Sequence, residues 1–88
     1  MENLYKKYQQ SSCVCTDSRN LTPDCLFVCL KGANFDGNKF AAEVLEQGAK
    51  YVITENRDLQ GNPRAVVVDD ALKTLQQLFI YKLYYQNH

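Results

Sequence analysis

The sequence predicts an α/β domain in which helices flank a small mixed sheet of about four strands. Short apolar runs at 25–30, 51–54 and 65–68 are too brief for helices, and they are apolar at consecutive positions. Such runs are typical of strands that are buried on both faces. Apolar residues recur at helical spacing in 39–47 and again beyond residue 71, so helices separate and follow these strands.

The first third of the chain contains a helix and two strands. Residues 2–10 form a short helix because their apolar residues fall on one helical face. The side chains of residues 11–16 alternate in polarity, as those of a strand do. The polar segment 17–20 ends that strand, because its side chains can hydrogen-bond with their own backbone. A turn at Pro23-Asp24 leads into the strand at 25–30.

The middle of the chain continues with a helix over residues 39–47. Asn38 is a suitable N-cap for this helix, and Gly48 stands where a left-handed C-cap is expected. The third strand follows at 51–54, and residues 55–63 form an exposed loop rich in Asn, Asp, Gly and Pro.

The last helix follows the fourth strand, at 65–68, and Asp69 and Asp70 are expected to cap its start. One stripe of this helix is formed by Leu72, Leu75, Phe79 and Leu83, with Leu78 beside it. The apolar surface at residues 79–85 is wider than one small core can cover. A dimer interface would explain it, and so would contact with a further domain of a longer polypeptide.

The composition argues against a nucleic-acid-binding protein and against a membrane protein. The 88 residues suffice for one small domain, and ten basic residues balance ten acidic ones. Because no basic stripe is visible, we expect no nucleic-acid partner. Residues 1–12 are too polar for a targeting or membrane segment, so we expect no membrane association.

The four cysteines, Cys13, Cys15, Cys25 and Cys29, allow two interpretations. Their spacings match no common zinc pattern, although four thiols could bind zinc. As residues of strands, each pair would point to one face and pack as small buried hydrophobes. We favour reduced, buried cysteines and no metal site, which indicates a cytoplasmic protein.

Two polar segments at strand ends are candidate binding loops. Thr16-Asp17-Ser18-Arg19 offers hydroxyls and backbone amides that could bind a base edge or a phosphate. The segment 32–38 combines two glycines with Asn34, which donates and accepts hydrogen bonds, and Phe35, which could stack on a flat base. Taken separately, each segment is more simply explained as an ordinary turn.

Catalytic motifs are missing from the sequence. It has neither a G-x-x-x-x-G-K-[ST] phosphate loop nor a G-x-G-x-x-G motif, and its single histidine is the last residue. Asp69 and Asp70 are better explained as helix caps than as an acid–base pair. We therefore predict no catalytic residue in this chain.

In order and spacing, several of these segments together resemble the N-terminal domain of the Mur ligases, which build the peptide of bacterial cell-wall precursors. The matching segments are Thr16-Asp17-Ser18-Arg19, Leu26-Phe27-Val28, Leu30-Lys31-Gly32, Phe35-Asp36-Gly37, Phe40, Gly48-Ala49 and Val67-Val68-Asp69-Asp70 with Leu72 and Leu75. The chain is most similar to the MurF type, which joins D-alanyl-D-alanine to UDP-N-acetylmuramoyl-tripeptide, and the MurE type is the nearest alternative. It departs from the family at Asp24, where glycine is usual.

The resemblance implies a division of labour in which residues 1–88 hold the UDP part of the substrate. A central domain would bind ATP and Mg²⁺ and form the acyl phosphate, and this first domain alone would be inactive. The resemblance places the substrate contacts on Thr16, Ser18, Ala33, Asn34 and Phe35, and gives Asp17, Arg19, Asp36 and Gly37 a role in shaping the loops. It also implies a UDP-N-acetylmuramoyl-peptide as ligand and the central domain as the structure that covers residues 79–85. A stand-alone interaction module that uses its last helix is the alternative from another class.

Overall fold

The computed structural model describes residues 2–33 and 35–86, which form a parallel sheet between two helical layers. The helices are α1 (Glu2–Gln10), α2 (Ala41–Glu46) and α3 (Ala71–Gln86). The strands are β1 (Val14–Cys15), β2 (Leu26–Val28), β3 (Lys31–Gly32), β4 (Phe35–Asp36), β5 (Tyr51–Thr54) and β6 (Ala65–Val67), and 3₁₀ turns cover Ser18–Asn20, Gly37–Phe40 and Arg57–Leu59.

The main sheet has four strands in the order β1-β2-β5-β6, and every neighbouring pair is parallel. The predicted α/β class, with about four strands and flanking helices, is confirmed. The antiparallel component of the predicted mixed sheet is a separate hairpin of β3 and β4, which follows β2. Only the β2–β5 crossover contains a helix, because the other two connections hold a single 3₁₀ turn each.

Successive residues of the central strands pack on opposite faces of the sheet, as the strand period of two requires. Phe27 and Val52 face α2, together with all four cysteines. Leu26, Val28 and Ile53 face α1 and α3. The expectation of a sheet covered on both faces is therefore confirmed.

Two turns depend on residues in unusual backbone conformations. Gly48 has φ +122°, and the amide of the next residue, Ala49, bonds the carbonyl oxygen of Val44 at 3.0 Å, which ends α2 as expected. Asp24 has φ +63°, and the Cys25 amide bonds the carbonyl oxygen of Thr22 across the turn. This left-handed position is the one where the family that the sequence resembles usually has glycine. Aspartate tolerates a left-handed backbone conformation better than most residues do.

The structure corrects several predicted boundaries. The strand expected at 11–16 is reduced to β1, and the helix expected at 39–47 divides into a 3₁₀ turn and the shorter α2. Asp70 does cap α3, since its Oδ1 accepts a hydrogen bond from the Lys73 amide at 3.0 Å. Asp69 instead pairs with Arg57.

Only Leu75 of the predicted apolar stripe of α3 packs on the sheet, together with Leu78 beside it. The side of the helix that packs on the sheet carries Ala71, Leu75 and Leu78. Leu72, Phe79 and Leu83 are exposed instead, with 52%, 44% and 64% of their surface in solvent. Among the described residues, no helix is both long and apolar enough to cross a membrane.

Candidate functional site

A recess of functional interest lies beyond the carboxyl end of β1. Thr16, Asp17, Ser18 and Arg19 form one part of its wall, and Phe40 forms another. Its volume is about 620 Å³, which falls in the range of small-molecule sites. The first predicted binding loop therefore borders a cavity of suitable size.

Asp17 fixes the conformation of this loop. Its Oδ1 accepts hydrogen bonds from the Arg19 amide at 2.9 Å and from Arg19 Nε at 3.1 Å, and its Oδ2 accepts from the second guanidinium nitrogen at 3.2 Å. The Arg19 side chain, followed by its amide, holds the pKa of Asp17 below the ordinary aspartate value. This carboxylate compensates the charge of the guanidinium and uses two of its five N–H donors. The uncharged groups of the loop that a ligand could bond are the hydroxyls of Thr16 and Ser18 and the backbone.

Phe40 is a cavity residue that sequence reasoning did not identify. The helical spacing of Phe40, Ala41, Val44 and Leu45 suggested that Phe40 belongs to the buried face of a helix. In the structure α2 begins at Ala41, so Phe40 is the capping position with φ −103° and ψ 4°, and 38% of its surface is exposed. An aromatic ring on the wall of this recess offers a stacking surface for a flat ligand.

The second predicted binding loop is the β3–β4 hairpin and its continuation. Ala33 lies at the exposed tip of this hairpin and is not among the described residues that line the cavity. Asn34 lies outside the described residues, and the description of Phe35 covers only its backbone, which belongs to β4. The positions of Thr16 and Ser18 relative to Asn34 and to the Phe35 ring thus stay a prediction.

Gly37 joins the hairpin closely to the end of β2. Its amide donates to the carbonyl oxygen of Leu30 at 2.8 Å. A Cβ atom at this position would lie 3.0 Å from that oxygen and 3.2 Å from the Cα of Cys29, both of them backbone atoms. Only glycine allows the two segments to approach this closely.

Asn38 is not the helix cap that the sequence suggested. Its side chain is buried, and its Oδ1 accepts hydrogen bonds from the Thr54 hydroxyl and from the Glu55 amide, both at 2.7 Å. Its Nδ2 donates to Asp36 Oδ1 at 2.8 Å, and Asp36 also accepts from the Asn38 amide at 3.0 Å. The hydrogen bond from the backbone N–H of Asn38, followed by the one from its side chain, lowers the pKa of Asp36. Asn38 thereby ties the hairpin to the carboxyl end of β5.

A smaller polar recess of about 300 Å³ lies beside this junction. Glu55 organises it, because its Oε1 pairs with Lys31 Nζ at 3.2 Å and its Oε2 accepts the Ala71 amide at 2.9 Å. The hydrogen bond from Lys31 to Glu55 raises the pKa of Lys31. The other lining residues are Asp36, Asn38, Lys39 and Asn56. Both recesses thus lie at the edge of the sheet where its parallel strands end.

The described residues offer no metal centre. Across 2–33 and 35–86, no three side chains of His, Cys, Asp or Glu converge in a way that could hold a metal ion. The four cysteines are free thiols, with Cys25 and Cys29 buried and Cys13 and Cys15 half-buried. The arrangement suits the binding of a small polar molecule by hydrogen bonds and stacking.

Comparison with known proteins places the chain in one family. Residues 10–81 match the model of the Mur ligase family, catalytic domain. The UDP-N-acetylmuramoyl-L-alanyl-D-glutamate–2,6-diaminopimelate ligase of Lawsonia intracellularis is 34% identical over 67 residues, which are 74% of this chain and 14% of that protein. The UDP-N-acetylmuramoyl-tripeptide–D-alanyl-D-alanine ligase of Bacillus subtilis is 40% identical over 68 residues, or 74% of this chain and 15% of that protein.

The fold leads to the same family. The crystal structure of MurF ligase from Thermotoga maritima in complex with ADP superposes with a TM-score of 0.76 and 28% identity, covering 97% of this chain and 18% of that one. The chain thus spans less than a fifth of the length of these relatives. With its four-stranded parallel sheet and flanking helices, the chain belongs to the Mur ligase family and corresponds to the family's N-terminal domain.

Proposed function

We propose that this domain anchors the uridine nucleotide of a UDP-N-acetylmuramoyl-peptide within an ATP-dependent ligase of peptidoglycan synthesis. The observation that carries the proposal is the cavity beyond β1, where two hydroxyl side chains, a hydrogen-bonded loop and an exposed aromatic ring share one wall. The relatives named above are ligases that act on UDP-N-acetylmuramoyl peptides, as their names state.

The chemistry of the cavity favours the nucleoside end of such a substrate over its diphosphate. Arg19 is paired with Asp17 through both carboxylate oxygens, so it offers a ligand little uncompensated charge. A uracil ring and a ribose are neutral, and they hydrogen-bond with hydroxyls and backbone amides. In this assignment Thr16 and Ser18 bond the nucleoside and the Phe40 ring stacks on the base. Ala33, Asn34 and Phe35 close the site from the hairpin.

The domain contributes to catalysis through binding alone. Interactions with a remote part of the substrate hold the reacting carboxylate in place, and this lowers the entropic part of the barrier. The chemistry, with ATP and Mg²⁺, belongs to the remainder of the ligase, so the isolated chain is inactive. Such a ligase acts in the cytoplasm, where its nucleotide substrates are made.

We assign the parent ligase to the MurF type, which adds D-alanyl-D-alanine. The support is the MurF crystal structure from Thermotoga maritima, which covers 97% of this chain, together with the Bacillus subtilis ligase that adds this dipeptide, which is 40% identical over 74% of it. The second candidate is the MurE type, because the Lawsonia intracellularis relative adds 2,6-diaminopimelate. Supplying the parent enzyme with each amine in turn distinguishes the two types.

The exposed apolar side of α3 is the contact surface for the rest of that ligase. Ile80, Leu83 and Tyr84 each expose about two-thirds of their surface, an unusual concentration of apolar area on one helix end. The relatives are more than five times as long as this chain, so the parent protein has polypeptide to spare. In this proposal, the part that follows this domain packs against residues 79–85. A dimer in place of this contact would appear as concentration-dependent mass in sedimentation, and Tyr84→Glu would abolish it.

The binding proposal is tested with a pair of serine variants. Ser18→Ala removes a cavity hydroxyl, whereas Ser11→Ala removes a hydroxyl that bonds the Lys7 carbonyl before the amino end of β1, at the opposite edge of the sheet. Affinity for uridine diphosphate, measured by titration calorimetry, should fall about 5-fold or more in Ser18→Ala, which is the loss of one hydrogen bond of about 1 kcal/mol. Equal affinities in the two variants would contradict the assignment.

A further inference from the structure

Three of the four thiols form a cluster beside the cavity. Cys13 and Cys15 project to the same side of β1, and their Sγ atoms lie 3.8 Å apart. Cys25, on the neighbouring segment, hydrogen-bonds with the Cys15 thiol. Cys29 is buried, and its thiol interacts with Thr54. Two thiols in contact on an edge strand differ from the isolated buried cysteines of an ordinary core.

The environment distinguishes Cys15 from the other thiols. Burial acts to raise its pKa, but hydrogen bonds from the Thr22 amide, the Thr22 hydroxyl and the neighbouring thiols outweigh that effect and lower the pKa. Burial raises the pKa of Cys25 to about 12 and that of Cys29 to about 11. Cys15 is only half-buried, so the thiol whose pKa is lowered is also one that a small oxidant can reach.

We propose that Cys15 and Cys13 form a peroxide-sensitive thiol pair that closes to a disulfide. The Cys15 thiolate attacks one oxygen of a hydroperoxide, the O–O bond breaks, and the sulfur is oxidised to a sulfenic acid while the leaving oxygen takes a proton. Cys13 then attacks that sulfur, an S–S bond forms, and the hydroxyl leaves with the Cys13 proton as water. For hydrogen peroxide, two thiols and one peroxide give one disulfide and two waters.

The position of the pair gives the reaction a structural consequence. Residues two apart in a strand have Cα atoms about 6.6 Å apart, at the upper end of what a disulfide spans, so closure must pucker β1. The Cys15 thiol also contacts the carbonyl oxygen of Asn20, the last residue of the 3₁₀ turn, and Thr16 follows Cys15 directly into the cavity wall. We therefore expect oxidation to weaken the binding of a uridine nucleotide, and this expectation rests on the proposed function.

Trypsin digestion provides a sharp assay, because cleavage after Lys7, Arg19 and Lys31 puts Cys13 and Cys15 on one peptide and Cys25 and Cys29 on another. After treatment with hydrogen peroxide and blocking of free thiols, peptide 8–19 should have lost two hydrogens and carry no blocking group. Cys13→Ser should stop at a sulfenic acid on Cys15 that dimedone traps, and Cys29→Ser, the matched control, should oxidise like the unmodified chain. Amide spectra of each variant establish that it is folded.

Two outcomes would overturn the thiol pair. One is a disulfide that links peptides 8–19 and 20–31, which would make Cys25 the partner. The other is a Cys15→Ser variant whose remaining thiols oxidise at the rate of the unmodified chain. Oxidation should weaken binding of uridine diphosphate at least 3-fold, and unchanged affinity would overturn the coupling to the cavity. A chain that forms the disulfide but never binds the nucleotide would refute the proposed function and leave the thiol pair intact.

Discussion

Replacing Asn38 with alanine should destabilise this domain more than most single substitutions. The Asn38 side chain accepts hydrogen bonds from the Thr54 hydroxyl and the Glu55 amide and donates one to Asp36. Alanine leaves the first two donors without an acceptor, and Thr54 is fully buried. Each donor left without a partner costs about 1–3 kcal/mol, so we expect a loss of about 2–6 kcal/mol for the two. Domains of this size have total stabilities on the order of 5–10 kcal/mol.

Urea and thermal unfolding, followed by circular dichroism, measure this loss. A domain of this size loses about 4–8 °C of melting temperature per kcal/mol, so the melting temperature should fall by roughly 10–40 °C. Thr54→Val removes the hydroxyl while Asn38 keeps the Glu55 amide, so this variant should lose less, about 1–2 kcal/mol.

The double variant of Asn38→Ala and Thr54→Val tests the reasoning itself. Once the Thr54 hydroxyl is gone, truncating Asn38 leaves one donor fewer without a partner. The double variant should therefore lose about 1 kcal/mol less stability than the sum of the losses of the two single variants. Asn38→Asp is a second test, because it places an oxygen opposite Asp36 Oδ1 and its deficit should shrink as the pH falls and one carboxylate is protonated. An Asn38→Ala variant within about 1 kcal/mol of the unmodified chain, with strictly additive losses, would refute the buried junction.

Three further predictions concern the hairpin and α3. Gly37→Ala should cost about 1–3 kcal/mol in urea unfolding, because its Cβ meets backbone atoms of Leu30 that cannot turn away; an unchanged midpoint would contradict the close approach. Asp36 should titrate below the ordinary aspartate value in carboxyl NMR spectra, because hydrogen bonds from Asn38 favour its charged form, and its stabilising contribution, present at neutral pH, should vanish as the pH falls through that lowered pKa; titration at or above the ordinary value would count against it. Ile80→Glu should leave the stability of the isolated chain within about 0.5 kcal/mol in the same unfolding assay, since its side chain is already largely in water; a clear loss would show that this side of α3 is part of the domain's own core.

The sequence predicted those elements whose patterns have a single structural solution. The third strand was predicted at the observed boundaries of β5, α1 occupies the predicted residues, and Gly48 ends α2 with a positive φ as expected. Each of these signals is local: an apolar run of strand length, one amphipathic face, and a glycine after the last helical turn. Local signals survive folding when no tertiary contact competes with them.

Other features could not be predicted from the sequence, because the same residues are compatible with two different local structures. An asparagine before a helix resembles an N-cap, and only the packed structure turns Asn38 inward to Thr54. The strands of the β3–β4 hairpin have two residues each, too few to show a period. α3 is apolar around most of its circumference, so periodicity could not tell that Leu78 packs on the sheet while Phe79 faces solvent. Phe40 falls inside the helix predicted at 39–47, whereas α2 begins one residue after it, so the helical pattern did not show that Phe40 lies at the cavity.

Amide chemical shifts of the labelled chain during titration with uridine diphosphate test the central claim most directly. We predict saturable shifts at Thr16–Arg19, Gly32–Gly37 and Phe40 at millimolar nucleotide, with little change along α3. Shifts confined to α3, or none at millimolar nucleotide, would contradict the claim that these loops hold the uridine of the substrate.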